Sequence, residues 1–184
     1  MSKTHEALDE KLRAFIAAQQ MFFVATAPLD AEGFVNVSPK GLDSFAILDE
    51  TRVAYVDLTG SGAETIAHLR ENGRITLMWC AFSGAPNIVR IQGQGRAHLL
   101  GSPEFVELAP LFPTYPGARS IVVVEATRIS DSCGYTVPRY EYQEDRDTLL
   151  RWAEKKGSAG LREYRAERNA ESVDGLPAFE VPED

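Results

Sequence analysis

Apolar positions recur at helical spacing over residues 6–19, where Ala7, Leu8, Leu12, Phe15 and Ile16 share one face and predict a short amphipathic helix. The texture then turns β-branched and aromatic. Phe22 to Thr26 (FFVAT) and Phe34 to Val37 predict two strands of a hairpin, joined through the turn residues Asp30 to Gly33. Phe45 to Leu48 is a short apolar piece, and Arg52 to Leu58 (RVAYVDL) predicts a third strand. Gly60-Ser61-Gly62 breaks that strand, and Glu64 to Glu71 reads as a helix. Ser61 and Glu64 have capping-box spacing at its start, and Gly73 sits where a helix stops. Arg74 to Phe82 (RITLMWCAF) and Asn87 to Leu100 (NIVRIQGQGRAHLL) predict two long strands, the second bent or bulged at Gly93 and Gly95. Ser102 to Leu108 predicts a short helix with Pro103 in its first turn, cut off by Pro110 and Pro113. Ser120 to Ile129 (SIVVVEATRI) predicts a last strand. Leu149, Trp152 and Ala153 mark a helix ending at Gly157, and Leu161 and Tyr164 mark another from Ser158. The terminal VDGLPAFEVPED is expected to be an extended tail.

About six strands, hairpin-like spacing and internal glycines predict a mainly β protein with short helices. Its sheet is antiparallel and curls into a barrel, which removes exposed edges. A Rossmann arrangement is set aside, because after Gly73 the chain enters two long strands with no crossover helix between them. The length of 184 residues suits one domain. Residues 1–138 form its barrel, with the N-terminal helix, and residues 139–184 form a helical extension of the same domain.

The net charge of −8 excludes a general nucleic-acid or membrane-surface binder, while leaving room for a small anion held by local cations. Cys80 and Cys133 form no CxxC, and His5, His68 and His98 are scattered, so no metal site is expected. Two separate cysteines, a charged N-terminus and no long apolar run predict a cytoplasmic protein. No G-x-S-x-G, H-E-x-x-H or P-loop motif is present, so hydrolase and nucleoside-triphosphatase chemistry has no support.

Four segments could carry chemistry. In Leu58 to Thr65 (LTGSGAET) a strand ends, glycines turn the chain and a helix opens, which aims free amides and a helix dipole at one place where a phosphate could bind. The competing reading is an ordinary capped helix. In Asn36 to Gly41 (NVSPKG), Ser38 and Lys40 share a strand face and could reach one anion, or the segment is a polar turn with a solvated lysine. Arg90 and Gln92 share one face of their strand, with Val89 and Ile91 on the other, and Arg90 either points into the barrel onto a bound anion, a carbonyl-rich ring or a carboxylate, or faces outward and is paired there. Asp131 to Pro138 (DSCGYTVP) is expected to be irregular, with Tyr135 available to line a pocket and Cys133 expected to be buried and inert.

In their order and spacing, FFVAT, NVSPKG, VAYVDLTGSGAETIAHLRENGRITLMWC, VRIQGQGRAHLL and DSCGYTVP resemble the pyridoxamine 5′-phosphate oxidase-like, FMN-binding split-barrel proteins, over roughly residues 22–138. The resemblance implies a six-stranded antiparallel split barrel with flanking helices. It also implies a homodimer with FMN between subunits, and FMN-binding oxidoreductase activity on an unknown small-molecule substrate. It assigns cofactor contacts to Ser38, Lys40, Gly62, Glu64 and Thr65 at the phosphate and ribityl chain, and to Arg90 and Gln92 beside the ring. Oxidases acting on vitamin B6 carry an arginine near Val35, an Arg-Lys pair near Glu64-Thr65 and a C-terminal Arg-x-His. None of these is present, so oxidation of pyridoxamine phosphate is not expected. The alternatives are a reductase using the deazaflavin F420 on the same barrel, or a non-enzymatic protein that binds flavin or haem or keeps the fold with no cofactor. No residue is assigned a catalytic role.

Overall fold

The structure is a computed structural model that describes residues 2–180. Within them the chain order is β1 (Lys3–His5), α1 (Glu10–Ala17), β2 (Phe22–Thr26), β3 (Asn36–Lys40), β4 (Phe45–Ile47), β5 (Arg52–Leu58), α2 (Glu64–Glu71), β6 (Arg74–Cys80), β7 (Ile88–Leu99), α3 (Pro103–Leu108), a 3₁₀ turn (Ala109–Leu111), β8 (Ala118–Ser132) and α4 (Thr148–Arg168). The strands pair in the order β3-β2-β6-β7-β8-β5-β4, with β1 added against β8. Every pairing is antiparallel. β3 and β4 end the path without pairing to each other, so the curled sheet stays open as a split barrel.

The predicted class holds, with eight strands among the described residues rather than six. β1 carries no apolar alternation, and its extended shape comes from docking Lys3 opposite Asp131 and Thr4 opposite Ser130 on β8. β4 is the short apolar piece, made a strand by Phe45 facing Tyr55. The second hairpin strand runs two residues past the predicted start, pairing Asn36 with Thr26 and Lys40 with Phe22. Pro39 is tolerated there because β3 has a neighbour on one side only. The bulge falls where glycine predicted it, with the β7–β8 register shifting between Gln92 and Gly93. A Cβ on Gly93 would run into the Glu125 carbonyl oxygen, so only glycine allows that approach.

Alternation on β5 and β8 builds two cores on opposite sheet faces. Val53, Tyr55, Val122 and Val124 join Val24, Leu77, Val89 and Ile91 in the main core, where α1 adds Leu12 and Ile16. Asp9 caps α1, its carboxylate accepting from the Leu12 amide at 2.8 Å. Within this core Phe22 stacks on Trp79 at 5.4 Å, and Phe45 meets the same indole edge-on at 4.9 Å. Ala54, Val56 and Ile121 face the other way and pack with Phe105 and Phe112.

α4 breaks at Gly157 (φ 65°, ψ 174°), which divides it into the two helices expected. Two local expectations fail. The helix α2 is not closed by a capping box: its N-cap is Ala63 and no side chain caps it. The last stretch is not a loose tail as far as it is described. Ala178 and Phe179 are buried against Ala63, Ile66 and Ala67 of the α2 region, because α2 presents an apolar face that the barrel leaves uncovered. Residues 181–184 of that stretch lie outside the described residues. No described helix is long and apolar enough to cross a membrane.

Candidate functional site

β3, the end of β5, the turn before α2 and the start of β8 surround a cleft of about 520 Å³, with Asp145, Arg146 and Leu149 on its remaining side. Five of the seven candidate residues, Ser38, Lys40, Gly62, Glu64 and Thr65, line it. β3 brings in Ser38 and Lys40 from one face of an edge strand, as the two-residue spacing requires. The turn brings in the others at the N-terminal end of α2, where no side chain caps the helix and its amides keep their partial positive charge.

Charge at the base of the cleft is organised by Asp57, which is 1% exposed. Its Oδ1 accepts from Lys40 Nζ at 2.6 Å and its Oδ2 from Arg119 Nε at 2.7 Å. Burial alone would push the Asp57 carboxyl up, but the two cations overcome it and hold the pKa at about 2. Two cations on one carboxylate leave a surplus positive charge. Arg119 Nη1 also donates to Asn169 Oδ1 at 2.8 Å, and Asn169 Nδ2 donates to the Gly60 carbonyl at 2.9 Å. The C-terminal extension thus ties the glycine turn to the cation behind it.

A second network runs under the other wall. Ser38 Oγ donates to Asn36 Oδ1 at 3.2 Å. Asn36 Nδ2 donates at 3.0 Å to both Thr65 Oγ1 and Thr26 Oγ1. Thr26 Oγ1 lies 3.0 Å from Nδ1 of His68, a fully buried imidazole. If the Thr26 hydroxyl donates to Nδ1, the ring proton sits on Nε2, 4.0 Å from Asp174 Oδ2. Burial lowers the His68 pKa, against the opposing pull of Asp174, Glu64 and Glu71.

Glu64 works against an anion in the cleft. It leans over Gly62, where any side chain would collide with its carboxylate, and its Oε1 accepts from the Val173 amide at 3.3 Å. The Ser38 hydroxyl donates to an amide oxygen rather than to a base, so it is not activated as a nucleophile. No cluster of metal-ligating side chains occurs among the described residues.

Arg90 and Gln92 do not line this cleft within one chain. They share a β7 face opposite the buried Val89 and Ile91, as alternation predicts. Arg90 Nη1 donates to Ser132 Oγ at 3.1 Å, and Gln92 lines a shallower depression with Arg74, Thr76 and Gln94. Tyr135 is 80% exposed. Cys133 is exposed, not buried as expected, because β8 runs on to Ser132 and carries the following turn outward. Sequence reasoning missed Asp57, Arg119 and Asn169. A lone carboxylate in the apolar run RVAYVDL was a signal, but its partners lie 17 and 62 residues away.

The pyridoxamine 5′-phosphate oxidase family profile matches residues 8–133. The pyridoxamine 5′-phosphate oxidase family protein ustO of Aspergillus flavus is 38% identical over 192 aligned positions, covering 95% of this chain and 77% of that protein. Among solved structures, HupZ of Group A Streptococcus superposes with a TM-score of 0.53 at 19% identity, covering 68% of this chain and 99% of that one. A Lactobacillus delbrueckii protein named after pyridoxamine 5′-phosphate oxidase superposes with a TM-score of 0.52 at 19% identity, covering 69% and 98%. These structures share the fold, and the family profile and ustO carry the relationship itself: the chain belongs to the pyridoxamine 5′-phosphate oxidase family.

Proposed function

We propose that this protein is an oxidoreductase that binds FMN, with the flavin's phosphate in the cleft between β3 and the start of α2. The observation that carries the reading is the convergence there of an uncapped helix N-terminus, a hydroxyl pair and the cation surplus around Asp57. These donors fit a single phosphate. Lys40 and Arg119 supply the charge, α2 amides the directed N–H groups, and Gly60 and Gly62 the close backbone approach. When bound, the flavin supplies the redox chemistry, and the protein contributes position, electrostatics and access.

Charges lining the cleft favour FMN over a cofactor with a longer anionic tail such as F420. Lys40, Arg119 and Arg146 are balanced by Asp57, Glu64 and Asp145, and Lys40, Arg119 and Asp57 alone leave one positive charge at the base.

A homodimer is part of the proposal, because Arg90 and Gln92 do not line this cleft within one chain and a second copy would supply them to a flavin bound there. Phe34, Val35 and Val37, on or just before β3, are 65%, 70% and 61% exposed and give such a copy an apolar surface to cover.

The absorbance spectrum of the purified protein, followed by identification of any released flavin, tests the reading. Titration of flavin-free protein with FMN and with riboflavin should show FMN binding about tenfold or more tighter through its phosphate. A colourless protein that ignores added FMN overturns it. Light scattering should give a dimer mass, and a monomer overturns that part.

A further inference from the structure

A second cavity, of about 550 Å³, lies on the other side of the Arg119 segment, between α3, the start of β8 and the second half of α4. Val56, Phe105, Phe112, Ile121, Leu161 and Phe179 give it apolar walls, and its volume is within the range of small-molecule sites. No acidic residue lines it among the described residues.

Arg165 lies against this cavity and is 6% exposed. Its Nε donates to Thr59 Oγ1 at 2.8 Å and its Nη2 to the Ala118 carbonyl at 3.1 Å. Its guanidinium carbon lies 5.6 Å from the centroid of the Phe179 ring. Two neutral acceptors and a ring face hold the group in one orientation without neutralising it. No carboxylate pairs with it among the described residues, and its Nη1 makes no hydrogen bond to them. Neighbouring Arg119 offers no relief, because its counter-ion Asp57 is already shared with Lys40. A buried cation without a counter-ion is costly, and a bound anion removes that cost.

We propose that this cavity binds a small organic acid, an apolar body ending in one carboxylate, with Arg165 Nη1 receiving the carboxylate and the aromatic and aliphatic walls covering the body. A carboxylate suits the site better than a phosphate. One guanidinium edge of Arg165 remains for it, and apart from Arg162 the other polar side chains lining the cavity are the hydroxyls of Thr114, Tyr115 and Ser158. The site is separate from the phosphate cleft, and the C-terminal extension completes it with Arg165, Leu161 and Phe179. Arg162 also lines it.

Calorimetric titration of the flavin-free full-length chain with octanoate and with 1-octanol tests this without reference to flavin, so its outcome is independent of the FMN reading. Octanoate should bind one-to-one and about tenfold or more tighter than the alcohol at neutral pH. That preference should fall to about one in Arg165→Gln. It should also vanish as pH falls through the acid's own carboxyl range, about 4 to 5, which keeps the test valid if Arg165→Gln does not fold. Ser158→Trp, at an exposed position lining the cavity, should lose both ligands with thermal unfolding unchanged. Equal affinity for acid and alcohol, no saturable binding, or an acid preference that survives Arg165→Gln would each overturn the proposal.

Discussion

Lys40 Nζ meets Asp57 Oδ1 at 2.6 Å, with the carboxylate side chain 1% exposed and the lysine side chain 20% exposed. The lysine read from sequence as an anion ligand is therefore also the counter-ion of a buried acid. In the proposed reading one ammonium serves the fold and the cleft together, and substitutions there separate the two roles.

Lys40→Met should destabilise the protein by about 1–3 kcal/mol, because Arg119 still pairs with Asp57 while one charge-assisted bond is lost. FMN affinity should fall about tenfold or more in the same variant. Urea unfolding and FMN titration read the two effects. A stability loss with unchanged affinity would remove Lys40 from the phosphate site.

Asp57→Asn should cost more, about 3–5 kcal/mol, since it leaves Lys40 and Arg119 facing each other without a counter-ion. Its acid behaviour follows from linkage. The folded carboxyl sits at about 2, below its ordinary value of 3.8. Its stabilisation is complete above the ordinary value and is lost as pH falls through the folded one. The unfolding midpoint of the wild type should therefore drop between about pH 4 and pH 2 more steeply than that of Asp57→Asn, followed by circular dichroism.

His68 titrates with the opposite chemistry and adds a milder slope. Burial lowers its pKa from 6.5, so the folded state holds it neutral while the unfolded chain takes up a proton. Stability should be flat above that value and decline as pH falls below it. In His68→Asn the slope between pH 7 and pH 5 should become shallower, as measured by urea midpoints at each pH, and what remains comes from His98, whose pKa burial also lowers.

Gly93→Ala should destabilise by about 3 kcal/mol or more, because the added methyl meets a backbone carbonyl that cannot move without shifting the β7–β8 register. Gly84→Ala is the control. No atom lies within 4 Å of its would-be Cβ, and its φ of 68° costs only local strain. A Gly93 variant no less stable than the Gly84 variant would refute the role given to the bulge.

Glu64→Gln should tighten FMN binding, since it removes the carboxylate that stands at the α2 N-terminus beside Gly62. Parallel titrations of wild type and variant read this directly, and weaker binding would show that Glu64 is a contact and not an obstacle.

Much of this architecture was legible in the order of residues. FFVAT, RVAYVDL, RITLMWC and SIVVVEA became strands because alternating β-branched and aromatic side chains can bury one or both faces of a sheet. Gly93 marked the bulge, where β7 comes too close to the Glu125 carbonyl for a Cβ, and Gly157 the break in α4, where φ is positive. Alternation also put Arg90 and Gln92 on one face of β7, but it is silent on which cleft that face borders.

What the chain alone determined is whatever hydrogen bonds and side-chain periodicity decide within a few residues. Tertiary structure decided the rest. β1 is a strand only because β8 offers it an edge, and Ala178 and Phe179 are buried only because α2 leaves an apolar face open. The ion pairs of Asp57 with Lys40 and Arg119, and the lack of any such partner for Arg165 among the described residues, follow from packing that brings distant charges out of water together. A buried charge is governed by what stands within a few ångströms of it, and separation along the chain carries no record of that distance.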